Sequence, residues 1–162
     1  MFELHPLTQK HERREFDCGI LSLNQYLLRS ARQNQDKDMG RTTVLVEAGQ
    51  NRVWGYYTLS SSTIDFEEYP PNAGLPHYPI PAILLARLAV DTQRHGEGLG
   101  KDLLLHALKT ARRAAENVAA AAVIVEAIDG SAEAFYQKYG FEPLNKTGRH
   151  LYLAMQKIRM LP

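Results

Sequence analysis

The amino-acid sequence predicts an α/β (or α+β) fold, with a mixed central sheet of about six to seven strands and helices on both faces. Strand patterns dominate the first half of the chain, and strands alternate with helices in the second half, as in mixed sheets. A glycine-rich turn joins an apolar strand to a leucine-rich helix. The length of 162 residues, 44% hydrophobic and 23% charged, suits a globular chain. We therefore expect one domain spanning residues 1–162.

The N-terminal segments indicate a strand, a helix and a hairpin. Residues 2–8 alternate weakly between apolar and polar side chains. A helix that ends near Gln35 is expected next, because apolar residues recur at roughly helical spacing at Leu21, Leu23, Tyr26, Leu27 and Leu28. The segments 42–48 and 53–61 are rich in β-branched and aromatic residues. The sequence Gly-Gln-Asn at 49–51 separates them, as in a hairpin. Two antiparallel strands are therefore expected.

The rest of the chain alternates strands with helices. An irregular loop is expected at 65–81, because its prolines lack backbone donors. Residues 82–90 form an apolar run interrupted by Arg87, typical of a central strand covered on both faces. The remaining expected elements are a helix from Leu99, a strand at 121–128, a short helix capped by Ser131 and ended by Gly140, and closing strands at 141–144 and 150–158.

The composition argues against several classes of protein. Cys18 is the only cysteine, so no intramolecular disulfide or thiolate metal cluster can form, and we expect its thiol to pack. The six histidines are scattered without ligand spacing, so no metal site is expected. The chain starts without a signal-peptide pattern, and no apolar run approaches the roughly 20 residues of a membrane span. We expect a cytoplasmic protein with no membrane contact.

The strongest chemical signal is RLAVDTQRHGEGLGKDLL, which joins the apolar strand to the leucine-rich helix. Gly96, Gly98 and Gly100 allow the backbone to approach a ligand closely. The amides of 95–101 are then free at a helix N-terminus, where donors and the helix dipole favour a pyrophosphate. The turn therefore predicts a phosphate-bearing cofactor.

Two familiar phosphate-binding motifs do not fit this turn. A Walker loop requires Ser or Thr after Gly-Lys, but Asp102 follows Lys101, and no glycine occupies position 95. A dinucleotide fingerprint requires a different spacing of the third glycine and an early position in the fold.

The segment instead resembles the acyl-CoA turn of the GNAT superfamily of N-acetyltransferases, with its pattern Q/R-x-x-G-x-G/A. Two registers meet the glycine spacing: His95 with Gly98 and Gly100, in which His departs from Q/R, or Gln93 with Gly96 and Gly98. Element order and the later segment AFYQKYGF extend the resemblance over almost the whole chain. It implies the GNAT fold, acetyl-CoA as cosubstrate and no metal. The implied cofactor-binding residues are Leu88, Ala89, Val90, Arg94, His95, Gly96, Glu97, Gly98, Leu99, Gly100 and Lys101.

The segment AFYQKYGF supplies a candidate general acid. Phe135 and Tyr139 are four residues apart and share a helix face, while Tyr136 is turned aside by about 100°. In the family, the tyrosine after the phenylalanine commonly protonates the departing CoA thiolate, which implies that role for Tyr136. A phenol of pKa about 10 can serve a thiolate of pKa about 8.5, and hydrogen bonding or nearby charge that lowers the phenol pKa would help.

A general base is less evident. Many family members place a glutamate in the strand that corresponds to 82–90, but this segment holds Arg87 and no acid. An α-amine of pKa about 7.8 is neutral roughly a third of the time near pH 7.5, whereas a lysine amine of pKa about 10.4 is almost fully charged. The absence therefore favours an α-amine. Glu126 and Asp91 remain candidate bases acting through water.

The N-terminal half resembles a narrower group, the GNAT toxins of bacterial toxin–antitoxin modules. The resemblance is carried by FDCGILSLNQYLLRSARQNQDKDMGRTTVLVE and VWGYYTLSSSTI, and continues in RLAVD and FYQKYGF. It implies acetylation of the α-amine of aminoacyl-tRNA and inhibition of translation, by a homodimer neutralised by a ribbon-helix-helix antitoxin. The candidate tRNA-binding residues are Arg29, Arg32, Lys37, Arg41 and Arg87, with Lys109, Arg112 and Arg113 as further candidates.

The net charge of +1 does not by itself indicate a nucleic-acid partner, and basic residues on a solvated helix face are common. Two alternatives therefore stay open. The first is an acetyltransferase acting on a small-molecule or peptide amine. The second is a CoA-binding module without catalytic activity.

Overall fold

The computed structural model describes residues 1–71, 73–144 and 149–162. It contains seven strands in one sheet, in the order β1-β2-β3-β4-β5-β7-β6. The strands are β1 (Phe2–Pro6), β2 (Arg41–Glu47), β3 (Gly55–Ile64), β4 (Ile80–Val90), β5 (Ala122–Glu126), β6 (Glu142–Pro143) and β7 (His150–Ala154). The pairs β1/β2, β2/β3, β5/β7 and β6/β7 are antiparallel, and β4/β5 is parallel. The predicted mixed sheet and its number of strands are confirmed.

The helices are α1 (Leu21–Gln25), α2 (Ala31–Asp36), α3 (Leu99–Ala115), α4 (Gly130–Lys138) and α5 (Met155–Ile158). A π-helical turn at Tyr26–Ser30 joins α1 to α2, so this region is one helical stretch, close to the predicted bounds. Short 3₁₀ turns occur at Phe66–Glu68 and Thr92–Arg94.

The chain divides into two compact units. The first comprises Met1–Ser60 and Ala86–Ala107, and the second comprises Ser61–Leu85 and Leu108–Pro162. In the first unit the buried cluster includes Leu7, Phe16, Leu27, Val44, Tyr56 and Ala89. In the second unit it includes Ile64, Tyr69, Ile80, Ala82, Ala122, Leu144 and Tyr152.

Gly55, at the start of β3, is required by close packing within the first unit. A Cβ atom there would lie 2.9 Å from Leu103 Cδ1 and 3.1 Å from the carbonyl oxygen of Ala89. Atoms at such distances overlap, so a larger residue would displace the first turns of α3 from the sheet. The glycine therefore sets how closely α3 approaches the sheet.

Two predicted features were wrong. Met155–Ile158 is helical and not strand, because Met155 and Ile158 are both buried at helical spacing. The cap of α4 is Asp129, whose carboxylate accepts a hydrogen bond from the amide of Ala132 at 2.8 Å, so Ser131 is not the cap. Strand β4 agrees with the predicted central strand, because ten of its eleven residues are buried or half-buried and Pro81 alone is exposed. The expected left-handed conformation of Gly140 is confirmed, with φ of 97°.

Candidate functional site

The predicted cofactor turn lies between β4 and α3, in the first unit. The Asp91 amide donates to the Trp54 carbonyl at 2.8 Å, and the 3₁₀ turn Thr92–Arg94 follows. Gly96 and Gly98 then adopt φ values of 84° and 77°, and α3 begins at Leu99. Side chains other than glycine rarely adopt such angles. Both registers of the family pattern include Gly98, which needs its glycine for this conformation.

The backbone of the turn presents a row of free donors. Among the described residues, none of the amides from Gly96 to Lys101 has a hydrogen-bond acceptor, and the first amide bonded to the turn is Asp102, which donates to Gly98 at 3.2 Å. A Cβ atom at Gly96 or Gly98 would meet nothing within 4 Å. Unpaired amides at the N-terminus of a 17-residue helix form a site suited to an anionic phosphate group.

Several side chains of the turn are engaged within the protein. Arg94 forms ion pairs with Glu47 and, at 3.7 Å, with Glu97, and its guanidinium lies 4.4 Å from the Trp54 ring centre. His95 Nε2 lies 2.8 Å from the Val90 carbonyl oxygen. The contacts of the Arg94 and His95 side chains therefore hold the turn in place. The main source of hydrogen-bond donors for a ligand is then the backbone of the turn.

The other predicted cofactor residues differ in exposure. Ala89 and Leu99 are buried in the protein. Leu88, Val90 and Gly100 are half-buried, whereas Gly96, Glu97, Gly98 and Lys101 are exposed. The buried members anchor the strand and the helix on either side of the turn. The exposed members form the surface that a cofactor can contact.

Asp91 is the buried anchor of this turn, and the sequence analysis missed that role. It is 1% exposed, and its carboxylate accepts hydrogen bonds from the amides of Gln93 at 2.9 Å and Asp17 at 3.1 Å. The Thr92 amide donates to the Asp17 carbonyl at 2.9 Å. Both carboxylate oxygens accept hydrogen bonds from amides, so Asp91 has a structural function, while its candidate role as a base acting through water stays a prediction. The Asp residue directly after a strand was the available signal.

Asp17 ties the N-terminal segment to the same anchor. Its carboxylate accepts hydrogen bonds from the amide of Gly19 and from Asn24 Nδ2, both at 2.9 Å. These bonds, the Gly19 amide first, lower the pKa of the Asp17 carboxyl. The FDCG sequence thus has a structural function, which sequence reasoning did not assign. Cys18 is buried, as the expected packing role requires.

Tyr136, the candidate acid, lies in α4 of the second unit and is 7% exposed. Its ring contacts Phe135 and Phe141, with centre distances of 5.3 and 5.4 Å. Burial raises the pKa of the Tyr136 phenol, and among the described residues its hydroxyl has no hydrogen-bond partner. Nothing among the described residues supplies the hydrogen bond or charge that would lower the pKa of this phenol. The phenol is instead held fully protonated at neutral pH.

The second candidate base, Glu126, is exposed at the end of β5. Its carboxylate lies 3.7 Å from His150 Nε2. Both residues line a cavity of about 280 Å³ in the second unit, together with Asp65 and Glu68. Three carboxylates around one cavity favour a positively charged group, such as a protonated amine.

The predicted tRNA-binding residues fall into two groups. Arg87 packs over the ring of buried Tyr26, with a centre distance of 3.6 Å, and Arg41 pairs with Asp38 at 2.6 Å. Arg112 donates to the Leu161 carbonyl at 2.9 Å. The exposed residues are Arg29, Lys37, Arg41 and Arg113, while Arg32 and Lys109 are half-buried. Arg87 and Arg112 therefore have structural contacts that their sequence positions did not reveal.

Within the described ranges, no group of three or more His, Cys, Asp or Glu residues is placed to hold a metal ion. No helix of the described chain has both the length and the apolar character needed to cross a membrane.

Comparison with known proteins identifies the class. Residues 39–143 match the model of the acetyltransferase (GNAT) domain, which covers more than half of the chain. The chain therefore belongs to the GNAT acetyltransferase family.

Individual relatives indicate a narrower group within this family. A Mycobacterium tuberculosis protein named tRNA-acetylating toxin is 36% identical over 148 residues, covering 90% of this chain and 87% of that protein. The structure of AtaT complexed with acetyl-methionyl-tRNAfMet is 29% identical, with a TM-score of 0.90 over 99% of this chain and 98% of that chain. A tyrosine-to-phenylalanine variant of AtaT, bound to the C-terminus of the antitoxin AtaR and acetyl-CoA, is 28% identical, with a TM-score of 0.84 over 98% and 96%. The chain is thus similar over nearly its full length to tRNA-acetylating toxins.

Proposed function

We propose that this protein is an acetyl-CoA-dependent N-acetyltransferase that acetylates the α-amine of aminoacyl-tRNA and thereby inhibits translation. The observation that carries the acetyl-CoA part is the row of free amides from Gly96 to Lys101 at the start of α3. The similarity to the tRNA-acetylating toxin and to AtaT, over nearly the whole chain, supports the substrate.

The turn fits the phosphates of acetyl-CoA. Its backbone amides bind and orient the pyrophosphate, while Asp91 fixes the turn from the buried side. When bound, acetyl-CoA supplies the acetyl group as a thioester. The exposed Lys101 adds positive charge beside the amides. The cofactor-binding residues proposed are those of the segments 88–90 and 94–101.

We assign the proton delivered to the departing thiolate to the Tyr136 hydroxyl. The raised pKa keeps that hydroxyl protonated at neutral pH, so the acid is present in the required form. The same high pKa makes the phenol a weak acid. Transfer therefore has to accompany cleavage of the carbon–sulfur bond, when negative charge on sulfur is developing.

The acceptor proposed is an amine that is partly neutral at cellular pH. β4 carries no acidic residue, so a strong base on that strand is absent. The carboxylates around the 280 Å³ cavity attract the ammonium form, and Glu126 can accept its proton through water. An α-amine of pKa about 7.8 needs only this modest assistance.

The proposed partners follow from the same similarity. We propose tRNA contacts for Arg29, Arg32, Lys37 and Arg41. We also propose a tRNA contact for Arg87, whose guanidinium is held in position by packing on the Tyr26 ring. A ribbon-helix-helix antitoxin and a homodimeric assembly are also proposed, by analogy with the toxin–antitoxin complexes.

The decisive experiment is transfer of labelled acetyl from acetyl-CoA to a pool of charged tRNAs. Wild type is compared with Tyr136→Phe and with the matched control Tyr139→Phe, and uncharged tRNA serves as the blank. We expect label on the aminoacyl group with wild type and the control, and loss with Tyr136→Phe. Absence of label on every charged tRNA, from protein shown to bind acetyl-CoA, would move the assignment to a small-molecule or peptide amine. Full activity of Tyr136→Phe would remove the acid assignment.

A further inference from the structure

A second cavity, of about 340 Å³, lies in the first unit. Its lining includes no residue of the cofactor turn and none of the basic residues predicted to bind tRNA. It is formed by the segment that follows β1, with one residue from the helical stretch and one from the β2–β3 connection. It is lined by residues 9–15, Leu28 and Arg52.

His11 lines this cavity and carries a buried donor without a partner among the described residues. The residue is 4% exposed, and its Nδ1 accepts a hydrogen bond from the Thr8 amide at 3.0 Å. Because Nδ1 is the acceptor, the proton of the neutral ring is on Nε2. Among the described residues, the buried Nε2 has no hydrogen-bond partner. A buried N–H group without an acceptor is unfavourable, and an anion would satisfy it.

Arg52 also lines the cavity and carries a second donor of the same kind. Its Nε atom is buried and has no hydrogen-bond partner in the described part of the chain. The guanidinium is fixed by an ion pair with Glu15 at 3.2 Å and by the Trp54 ring at 3.8 Å. The backbone around Arg52 is joined to the segment by the Glu12 amide, which donates to Asn51 at 2.8 Å. The donor is therefore held in position before any ligand arrives.

The charge of the cavity points to an anion. Four cationic side chains, Lys10, Arg13, Arg14 and Arg52, outnumber the two carboxylates of Glu12 and Glu15. Burial, and then the charge of Lys10, lower the pKa of the His11 ring. Burial, and then Arg32, lower the pKa of the Arg13 guanidinium, so Arg32 adds positive charge beside the cavity. These cations are close enough to disfavour one another, and a bound anion removes that repulsion.

We propose that this cavity binds a phosphate group of the RNA backbone, through the N–H donors of His11 and Arg52 and the charges of Lys10, Arg13 and Arg14. Phosphate suits the site because its oxygens accept several hydrogen bonds at once. The choice of RNA as the source rests on the proposed function, in which tRNA carries the substrate amine. Free inorganic phosphate shares the same chemistry, and the test separates the two sources.

The first arm measures the His11 ring by NMR during titration with inorganic phosphate and, separately, with uncharged tRNA. We expect the Nε2 resonance to shift with both ligands, and the His11 pKa to rise, because an anion stabilises the protonated ring. A shift with phosphate alone would contradict RNA as the occupant. No shift with either ligand would overturn the site.

The second arm uses Lys10→Gln/Arg14→Gln, since both side chains are exposed and lie outside the catalytic machinery. The matched control is Arg149→Gln/Arg159→Gln, which removes equal charge from exposed positions in the second unit. For the cavity variant we expect a severalfold higher KM for charged tRNA with kcat unchanged, and a salt dependence of tRNA affinity reduced by about 0.9 per lost phosphate contact. Equal changes in both variants would contradict a specific site.

This design also separates the two proposals. If wild type acetylates charged tRNA but the His11 resonance does not shift with either ligand, the phosphate-binding site is wrong and the proposed function stands. If the His11 resonance shifts but the protein acetylates no charged tRNA, the phosphate site is supported and the proposed function is wrong.

Discussion

The cofactor turn at residues 95–101 offers backbone amides to its surroundings, whereas α4 offers a single phenol packed among aromatic rings. In the turn, binding groups belong to the main chain, and their orientation depends on the positive φ angles of Gly96 and Gly98. In α4, the proposed general acid is a side chain, Tyr136, whose environment depends on Phe135 and Phe141. Phosphate binding by the turn should therefore depend on backbone conformation, whereas the pKa of the Tyr136 phenol depends on burial. Substitutions should therefore affect the two regions through different measurements.

The largest effect is expected for Tyr136→Phe. Loss of a general acid lowers kcat by about 10² to 10⁴-fold. Stability should be nearly unchanged in urea unfolding at neutral pH, because the hydroxyl has no partner among the described residues and the ring remains. Unfolding and steady-state kinetics check both parts. A large loss of stability would show that the hydroxyl has a structural function.

The second effect concerns the anchor of the turn. Asp91→Ala removes hydrogen bonds to the amides of Gln93 and Asp17, and we expect a loss of about 2 to 3 kcal/mol in unfolding free energy. Acetyl-CoA affinity, measured by calorimetry, should fall as well. The control is Asp129→Ala, which removes the cap of α4 and should destabilise by about 1 kcal/mol while leaving acetyl-CoA affinity unchanged. Equal affinities in the two variants would contradict the anchoring role.

A third substitution, Gly98→Ala, separates the effect of backbone strain on stability from the effect of a side chain at the proposed cofactor site. Gly98→Ala forces a side chain into a left-handed conformation, at a cost of about 1 to 2 kcal/mol, and places a methyl group where the cofactor is proposed to lie. Gly49→Ala carries similar strain at a φ of 78° in a hairpin turn. Both should lower the melting temperature, but only Gly98→Ala should weaken acetyl-CoA binding, by about tenfold or more. Unchanged binding would show that the turn tolerates rearrangement.

The smallest effect is a pH dependence. Because burial raises the Tyr136 pKa in the folded protein, its contribution to stability is complete below the ordinary phenol pKa of about 10 and is lost as pH rises above it. Wild type should therefore lose about 1 kcal/mol more than Tyr136→Phe between pH 9 and pH 10.5. Urea unfolding at the two pH values measures this, since the other tyrosines are common to both proteins. An equal loss in both proteins would contradict a raised pKa.

Much of the fold followed from local patterns. The hairpin at 42–61 and the leucine-rich helix α3 were predictable because β-branched runs, turn residues and helical periodicity act over short distances. The end of β7 was mistaken because Met155–Ile158 continues an apolar run that suits either a strand or a helix. Burial at helical spacing, which the sequence does not show, decided for the helix.

The candidate site was predictable where glycine spacing carried the information. Three glycines before a helix have few structural explanations, and two of them occupy left-handed conformations. The anchoring by Asp91 was not predictable, because its partner Asp17 lies 74 residues earlier in the chain. The cavity at His11 and Arg52 was missed because Arg52 lies far along the chain from the segment 9–15, and no local pattern shows that the two come together.

The sequence by itself determined the order of the elements, the glycine conformations of the turn and the identity of the candidate acid, because each depends on neighbouring residues. Tertiary structure decided that Asp91 is an anchor, that Arg87 packs on Tyr26, and that Tyr136 is buried with a raised pKa. It also placed His11 and Arg52, whose buried N–H groups have no hydrogen-bond partner in the described part of the chain, in the lining of one basic cavity. The physical reason is that burial and electrostatic environment are set by groups from distant parts of the chain, which only folding brings together.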